Sequence, residues 1–347
     1  MSKQLIALIT AMIVPLTSHA AAATQKMCVF DLLGTSGEGF GMAKDYALVM
    51  MQKTGANITL KVYVDERIAI EDFKTGQCDA VSATGLRTHA FNPLSASIDA
   101  IGATTLVRGG KVDSKGSYQL VRNVIGTFSS PAAAKLMVNG EFEVGGITPL
   151  GPAYPFVNDR KINSVEAVSG KRIAALDYDK AQAAMIQRIG GQAVSADITN
   201  ISSKFNNGLV DVIVMPAAAY KPLELYKGMG SKGAISRMPL VMLSYQMIFR
   251  RGQFPEGYGQ TSRDYWLAQF DRAQGIIMRM ERDVPESIWM ELKGDDAGRY
   301  SQMMREARID MAKEGFYDKK GLKIIKKIRC NLTPQEAECS DEAETNW

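Results

Sequence analysis

The residues from Cys28 to Met50, CVFDLLGTSGEGFGMAKDYALVM, place a short apolar strand, a glycine-rich turn and a helix-like segment in succession. Phosphate cradles have this layout, so the chemistry to test first is nucleotide binding. A dinucleotide fingerprint requires G-x-G-x-x-G. Here Gly37 and Gly39 are followed by Gly41 one residue early, and Met42 stands where the third glycine belongs. A P-loop requires its lysine between Gly and Ser or Thr, whereas Lys44 lies between Ala43 and Asp45. What remains is a strand running into a helix N-terminus, whose free N–H groups and dipole suit a polar or anionic group. The stretch reads as a small-ligand cradle or a plain αβ turn.

Hydrolytic and metal chemistry find few residues. The chain has two histidines, His19 and His89, and a histidine-based metal site needs more ligands. G-x-S-x-G and H-E-x-x-H are absent, and no S-x-x-K stands in a fitting setting. His89 follows Arg87-Thr88 near the end of a strand, where a cleft position competes with a surface or helix-capping one. A periplasmic hydrolase using His89 with a serine is the enzymatic alternative; the reading is a protein without catalytic residues, cofactor or metal.

Compartment follows from the first residues. MSKQLIALITAMIVPLTSHAAAA carries Lys3, an apolar run from Leu5 to Leu16 and the small-residue exit Ser18-His19-Ala20. That is the pattern of a secretory signal peptide, with cleavage expected after Ala20 and Ala22 or Ala23 as alternatives. Gln25-Lys26-Met27 before Cys28 is not a lipobox, so a soluble periplasmic protein is expected. No later run approaches the 18 or so apolar residues of a spanning helix. Loss of Lys3 takes the formal charge from +4 to +3, too small and scattered a balance for nucleic acid. The basic run DKKGLKIIKKIRC reads as a helix with a solvated face.

Four cysteines in an exported chain suggest two disulfides, with three connectivities open. Cys330 and Cys339 are close enough to staple the tail. Cys28 and Cys78 precede apolar segments, CVFDLL and CDAVSATG, that neighbouring parallel strands would bring together. The expected pairs are Cys28–Cys78 and Cys330–Cys339.

The elements that must position these residues occur twice. The first half reads strand (Val29–Leu33), helix (about Glu38–Lys53), Gly55-Ala56, strand (Thr59–Val64), a helix carrying AIEDFKTGQCD and the strand AVSATG. The second reads strand (Arg172–Leu176), helix (about Lys180–Ile189), Gly190-Gly191, strand (near Ala193–Ser195), a helix carrying ISSKFNNGLVD and the strand VIVMPA. Phe73-x-x-Gly76-x-x-Asp79 matches Phe205-x-x-Gly208-x-x-Asp211 in register. A buried Phe, a left-handed Gly stop and an immediate strand explain each copy alone; the repeat of the whole β-α-β-α-β order implies two parallel-sheet lobes. Crossing segments are expected near Ala103–Arg108 and at PLVMLSYQMIFRRG, Pro239–Gly252. After Thr261 the chain reads as helical, with Ser262 as N-cap and Asp264 in the first turn, a second helix from Pro285 and a third from Asp295 to Gly315. Tyr265, Trp266, Phe270, Ile276 and Met280 recur at helical spacing and read as core.

The passage SVEAVSGKRIAALDYDKAQAAMIQRIGGQAV, followed by FNNGLVDVIVMP, resembles one found in the periplasmic solute-binding proteins of TRAP transporters; the likeness spans roughly Cys28 to Gly252. ERIAIEDFKTGQCDAVSATGLRTHAFN and MCVFDLLGTSGEGF are closer still to the AdeT-type group, often labelled as part of an RND-type efflux system for aminoglycosides. The resemblance implies an α/β, bilobed, periplasmic-binding-protein-like (type II) fold with a hinge and C-terminal helices. It implies capture of a small polar solute and delivery to inner-membrane transporter subunits. The alternative is a soluble accessory of an RND-type efflux system linked to aminoglycoside resistance. The pump itself needs many spanning helices, and adaptors of that kind usually need coiled-coil heptads, which are missing here.

On this plan residues 1–20 are the cleaved signal. Lobe I takes 21–145 with about 241–260, lobe II takes 146–240, the packing helices are 261–329 and the stapled tail is 330–347. The chain is expected to be a monomer. Ligands of open α/β sheets sit beyond the carboxyl ends of the strands. That directs attention to Asp31, Gly34, Thr35, Thr84, Gly85 and Arg87 in the first lobe, and to Asp177, Tyr178, Met215 and Pro216 in the second. Tyr220 and Tyr245, like Tyr178, are candidates for stacking on a ligand. The resemblance breaks at one place: its organic-acid binders grip a carboxylate with an arginine in the G-K-x-I-R-V strand, where this chain has Ala174, and Arg172 points to the other face. Arg87 could replace that arginine or serve as a surface or structural cation. Asp31 and Asp177 at the cleft edges would suit a cationic or polyhydroxylated ligand, or would cap the helices that follow them.

Overall fold

The computed structural model describes residues 24–292 and 295–347; the expected signal peptide and its cleavage site lie outside them. The first unit runs β1 (Thr24–Phe30), α1 (Glu38–Thr54), β2 (Asn57–Tyr63), α2 (Glu66–Lys74) and β3 (Ala80–Thr84). Helix α3 (Ser114–Ser129) leads to the long strand β4 (Phe142–Val157). The second unit repeats the plan with β5 (Arg172–Leu176), α4 (Lys180–Arg188), β6 (Gln192–Ala196), α5 (Ile201–Asn206) and β7 (Val212–Pro216). A second long strand, β8 (Val241–Arg250), returns to the first unit.

Strand order is β2-β1-β3-β8-β4-β7-β5-β6. Pairing within each unit is parallel, and β8 and β4 join the units through antiparallel ladders. The two lobes of this periplasmic-binding-type α/β fold are thus threaded on one continuous sheet. The expected crossing at Ala103–Arg108 is not one. That segment ends in a two-residue strand paired only with Lys111–Val112, and the outward crossing is β4 itself. β4 is rich in glycine and proline and nearly all buried, so its glycines and prolines hid the strand from the sequence reading.

The repeat extends to individual hydrogen bonds. Phe73 and Phe205 are fully buried, and Gly76 and Gly208 take φ of 78° and 68°, where only glycine is free of strain. The N–H groups of Gln77 and Leu209 donate back to Asp72 O and Lys204 O, each at 2.8 Å, closing α2 and α5 with the same helix stop. Each repeat aspartate then ties its strand to its neighbour. The Lys26 N–H donates to Asp79 Oδ2 at 2.8 Å, and the Arg172 N–H to Asp211 Oδ2 at 2.9 Å. Disulfides close between Cys28 and Cys78 and between Cys330 and Cys339.

The glycine-rich turn answers its own question. Asp31, at the end of β1 and 7% exposed, accepts from the N–H groups of Leu33 (2.9 Å) and Phe40 (3.0 Å). The anion at the N-terminus of α1 is therefore the chain's own carboxylate. A Cβ on Gly37 would fall 1.8 Å from Asp31 Oδ1, so that glycine is there to let the carboxylate in.

Four helices complete the molecule: α6 (Tyr258–Ala268), α7 (Phe270–Arg282), α8 (Asp296–Lys313) and α9 (Lys319–Leu332). Ser262 is not an N-cap. α6 begins four residues earlier at Tyr258, and Ser262, fully buried, donates to Gly145 O instead. Pro285 opens a three-residue turn, Glu286–Ile288, and a two-residue strand rather than a helix. Tyr265, Trp266, Phe270 and Ile276 are buried and Met280 packs against that core. No described helix is long and apolar enough to cross a membrane.

The solvated-face reading of α9 fails at two positions. Lys326 and Arg329 are 5% and 3% exposed, because the stapled tail folds over them. Lys326 Nζ donates to Ala343 O (2.6 Å) and Arg329 to Ala103 O (2.7 Å) and Glu338 (2.8 Å). Glu344, 1% exposed, accepts from Arg308 Nε at 2.7 Å. Burial would raise its carboxyl, but the charges of Arg308 and Arg329 outweigh that and hold it below its usual range.

Two predictions follow from these contacts. Gly37→Ala should cost about 1–3 kcal/mol through overpacking against Asp31, read by chemical denaturation. Gly41→Ala, with nothing within 4 Å of its new methyl, should be neutral or add up to ~1 kcal/mol of helix propensity. Glu344→Ala leaves buried arginines uncompensated and should cost about 3–5 kcal/mol. Because the folded pKa of Glu344 is depressed, its contribution is complete above the ordinary glutamate value and is lost as pH falls through the folded one. The stability difference between wild type and variant should therefore shrink in acid.

Candidate functional site

The carboxyl ends of β1, β3, β5 and β7 all open on one cavity of about 390 Å³. The first unit contributes Asp31, Glu66 and Thr84, and the second Tyr178, Asp179, Met215 and Pro216. Thr148 and Tyr245 reach it from the crossing strands, and Tyr300 and Tyr317 close it from the C-terminal helices and the turn before α9. The walls are otherwise mostly aliphatic and aromatic, the usual lining of a small-molecule site.

Among the described residues, charge in this lining has one sign: it includes Asp31, Glu38, Glu66, Asp99 and Asp179, and no Lys, Arg or His. The five are compensated unequally. Asp31 is held by backbone amides, as above, and Glu38 pairs with Arg279 at 3.1 Å. Glu66, first residue of α2 and 1% exposed, accepts from the Thr84 N–H at 2.7 Å. Its other oxygen lies 3.9 Å from Arg87 Nε, and burial raises its carboxyl. Asp179 caps α4 by accepting from the Gln182 N–H at 2.9 Å, and burial raises it too. Asp99, in the turn Ser97–Asp99, is 5% exposed. Neither of its carboxylate oxygens has a hydrogen-bond partner. Burial pushes its carboxyl up to about 8, although Ser244 beside it pulls the other way.

Arg87 stands just outside this lining. It lies in the helical turn Gly85–Thr88 after β3, and its guanidinium carbon sits 3.3 Å from the centre of the Tyr178 ring. Nη2 is 3.8 Å from Asp177, and neither Nε nor Nη2 makes a hydrogen bond. A first-lobe cation thus clasps a second-lobe ring that lines the cavity.

The residues named from sequence divide evenly. Asp31, Thr84, Tyr178, Met215, Pro216 and Tyr245 line the cavity; Gly34, Thr35, Gly85, Arg87, Asp177 and Tyr220 do not. Thr35 is exposed and Gly34 forms the turn after β1. Tyr220 packs against Tyr226 in the second lobe. Asp177 is exposed and does not cap α4, which starts at Lys180, so Asp179 takes that role. Gly85 acts indirectly: a Cβ there would meet Asp99 Oδ2 at 2.3 Å, so its bare backbone makes room for that carboxylate. His89 is half-buried, its Nε2 is unpartnered, and burial lowers its pKa against the pull of Asp179. Ala174 is buried in the core of the second lobe, and Arg172 forks onto Asp211 at 3.0 and 2.7 Å. Sequence reasoning missed Glu66, Asp99 and Asp179. Asp179 alone had a local signal, an acid directly before a helix.

The family model for solute-binding protein AdeT 1/2 matches residues 47–344. The "Probable solute-binding protein AdeT1" of Acinetobacter baumannii is 46% identical over 312 residues, covering 90% of this chain and 99% of its own. AdeT2 of the same organism is 24% identical over 218 residues, 63% of this chain and 92% of its own. Among solved structures, a TRAP periplasmic solute-binding protein of Desulfovibrio salexigens with bound orotic acid aligns with a TM-score of 0.70 at 15% identity. It covers 89% of this chain and 99% of its own. A Bradyrhizobium TRAP protein complexed with galacturonate gives 0.69 at 12% identity, covering 88% and 99%. These structures share the fold, and the extent of the AdeT matches shows that the chain belongs to the AdeT 1/2 family of solute-binding proteins.

Proposed function

We propose that the protein works in the periplasm as a monomer, captures one small solute between its lobes and hands it to subunits of an inner-membrane transporter. The observation that carries this reading is the cavity of about 390 Å³ walled by the strand ends of both units. That volume lies at the small end of ligand sites. Solved relatives in fold are named with small acids bound in complexes, orotic acid and galacturonate, which supports capture as the use of the cavity. Closure around a ligand and reopening at a transporter require the lobes to move about β4 and β8, a hinge motion. The ladder between these strands is interrupted at Leu243/Ser244 and Met247/Ile248, where irregular pairing lets a strand bend.

Thermal unfolding of protein refolded to strip any trapped solute tests this directly. A captured compound at about 100 times its Kd should add roughly 2.7 kcal/mol, a rise of several degrees. The panel comprises organic acids, amino acids, polyamines, sugars and aminoglycosides, and silence across all of it would overturn the reading. The clasp gives a second test. Arg87→Ala should weaken capture by about 2- to 30-fold, the range of a partly desolvated cation–π contact. Tyr178→Phe, which keeps the ring face, should leave affinity within about twofold by titration calorimetry.

A further inference from the structure

We infer that the captured solute is a small organic cation, held by its ammonium, amidinium or guanidinium end between Asp99 and Asp179 at one end of an otherwise apolar cavity. This rests on the capture reading and names its substrate class.

Asp99 carries the inference. Its carboxylate is 5% exposed, borders the cavity and has no hydrogen-bond partner on either oxygen. The chain spends a glycine, Gly85, to admit it. An uncompensated buried carboxylate is costly, and Ser244 beside it offsets only part of the effect of burial. Asp179 faces it from the second lobe, close enough that its charge raises the Asp99 carboxyl further. Two acids meeting across a closing cleft repel each other unless a positive charge lies between them. The other acids of the lining are already committed: Asp31 to α1, Glu38 to Arg279, and Glu66 to the Thr84 amide beside Arg87.

An anionic solute finds no counterpart in the lining, because no described Lys, Arg or His borders the cavity, and Arg87, outside it, stacks on Tyr178 with the carboxylates of Glu66 and Asp177 nearby. A neutral solute would bind with Asp99 keeping its proton, so its affinity would not rise toward pH 8 as that of a cation should. The aromatic walls fit a cation as well. Phe30, Tyr178, Tyr245, Tyr300 and Tyr317 border the same space, and aromatic faces attract organic cations.

Proton competition follows. The ionisable groups around this end are Asp179 with His89 beside it, Tyr317 and Arg308 from the C-terminal segment, and Glu66 with Arg87. With its carboxyl near 8, Asp99 is mostly protonated at pH 7 in the unliganded protein and must release that proton to hold a cation. Affinity for a cation of fixed charge should therefore rise about tenfold per pH unit up to roughly pH 8 and then level off.

The test is calorimetry and thermal unfolding of refolded full-length mature protein with choline, putrescine and agmatine, against galacturonate, orotate and glucose. Expected is binding of at least one cation, with a choline or agmatine affinity that climbs from pH 6 to 8 and a proton released to buffer. Asp99→Asn, nearly isosteric, should weaken that cation at least tenfold and flatten its pH profile. The unliganded variant should melt no lower than wild type, since it replaces a buried carboxyl that makes no hydrogen bond; a structural role would lower it. Asp179→Asn should also weaken the cation while keeping the helix cap, which asparagine supplies equally well. Binding of galacturonate, orotate or glucose alone, indifferent to Asp99→Asn, would overturn the cation assignment and leave solute capture standing. Absence of binding by every compound of this panel and of the wider one above would overturn both.

Discussion

Ladder pairing between β4 and β8, from Phe142 opposite Arg250 to Ala153 opposite Val241, is the constraint on which the other parts depend. Each parallel unit hangs from one of these strands: β3 pairs with β8, and β7 pairs with β4. Parallel strands need both faces covered: in the first unit its own helices do this together with α6, α7 and α9, and the second unit has a core of its own. What the long strands add is position. They aim the carboxyl ends of both units at the same space, which is why Thr84 and Met215, far apart in sequence, face one cavity. They also make the relation between lobes bendable but not free, because a hydrogen-bonded ladder resists sliding while its irregularities permit flexing.

Burial of carboxylates is the second theme, and its variations divide structure from site. Asp31 is answered by backbone amides at α1, Asp211 by a forked arginine, and Glu344 by Arg308. Each of these is satisfied and holds two segments together. Asp99 is buried more deeply than Asp31 and makes no hydrogen bond. Native proteins rarely leave such groups without reason. The proposed site rests on the contrast between Asp31, which looked from sequence like a ligand group and is held by backbone amides, and Asp99, which gave no signal and makes no hydrogen bond.

Much of the fold was legible because its signals are local. Helix stops at Gly76 and Gly208, strand 172–176 and both disulfide pairings could be read from residue type and spacing, and the repetition gave two lobes. β4 was not legible, since its glycines and prolines speak against a strand unless a partner such as β8 is in view. The start of α6 was missed because Ser262 is a good cap in isolation, while tertiary burial places it inside the helix. The site was half legible. Strand ends pointed to Thr84, Tyr178 and Met215. Asp99, in contrast, comes from a three-residue turn, and its environment is assembled by Gly85, Ser244 and a residue of the other lobe. No window of sequence contains that arrangement.

Closure and charge are thereby linked. In the closure proposed above, Asp179 would approach Asp99 and Tyr178 would seat on Arg87, so one contact would favour the closed form while the other would oppose it whenever both acids are ionised. A ligand shifts such an equilibrium only by the difference in its affinity for the two states. A positive group between the acids supplies that difference, since it relieves a repulsion that exists only when the lobes are closed. Without it, closure requires Asp99 to hold a proton. On this proposal the clasp would set how readily the lobes meet, and the carboxylate without a hydrogen bond would set what lies between them when they do.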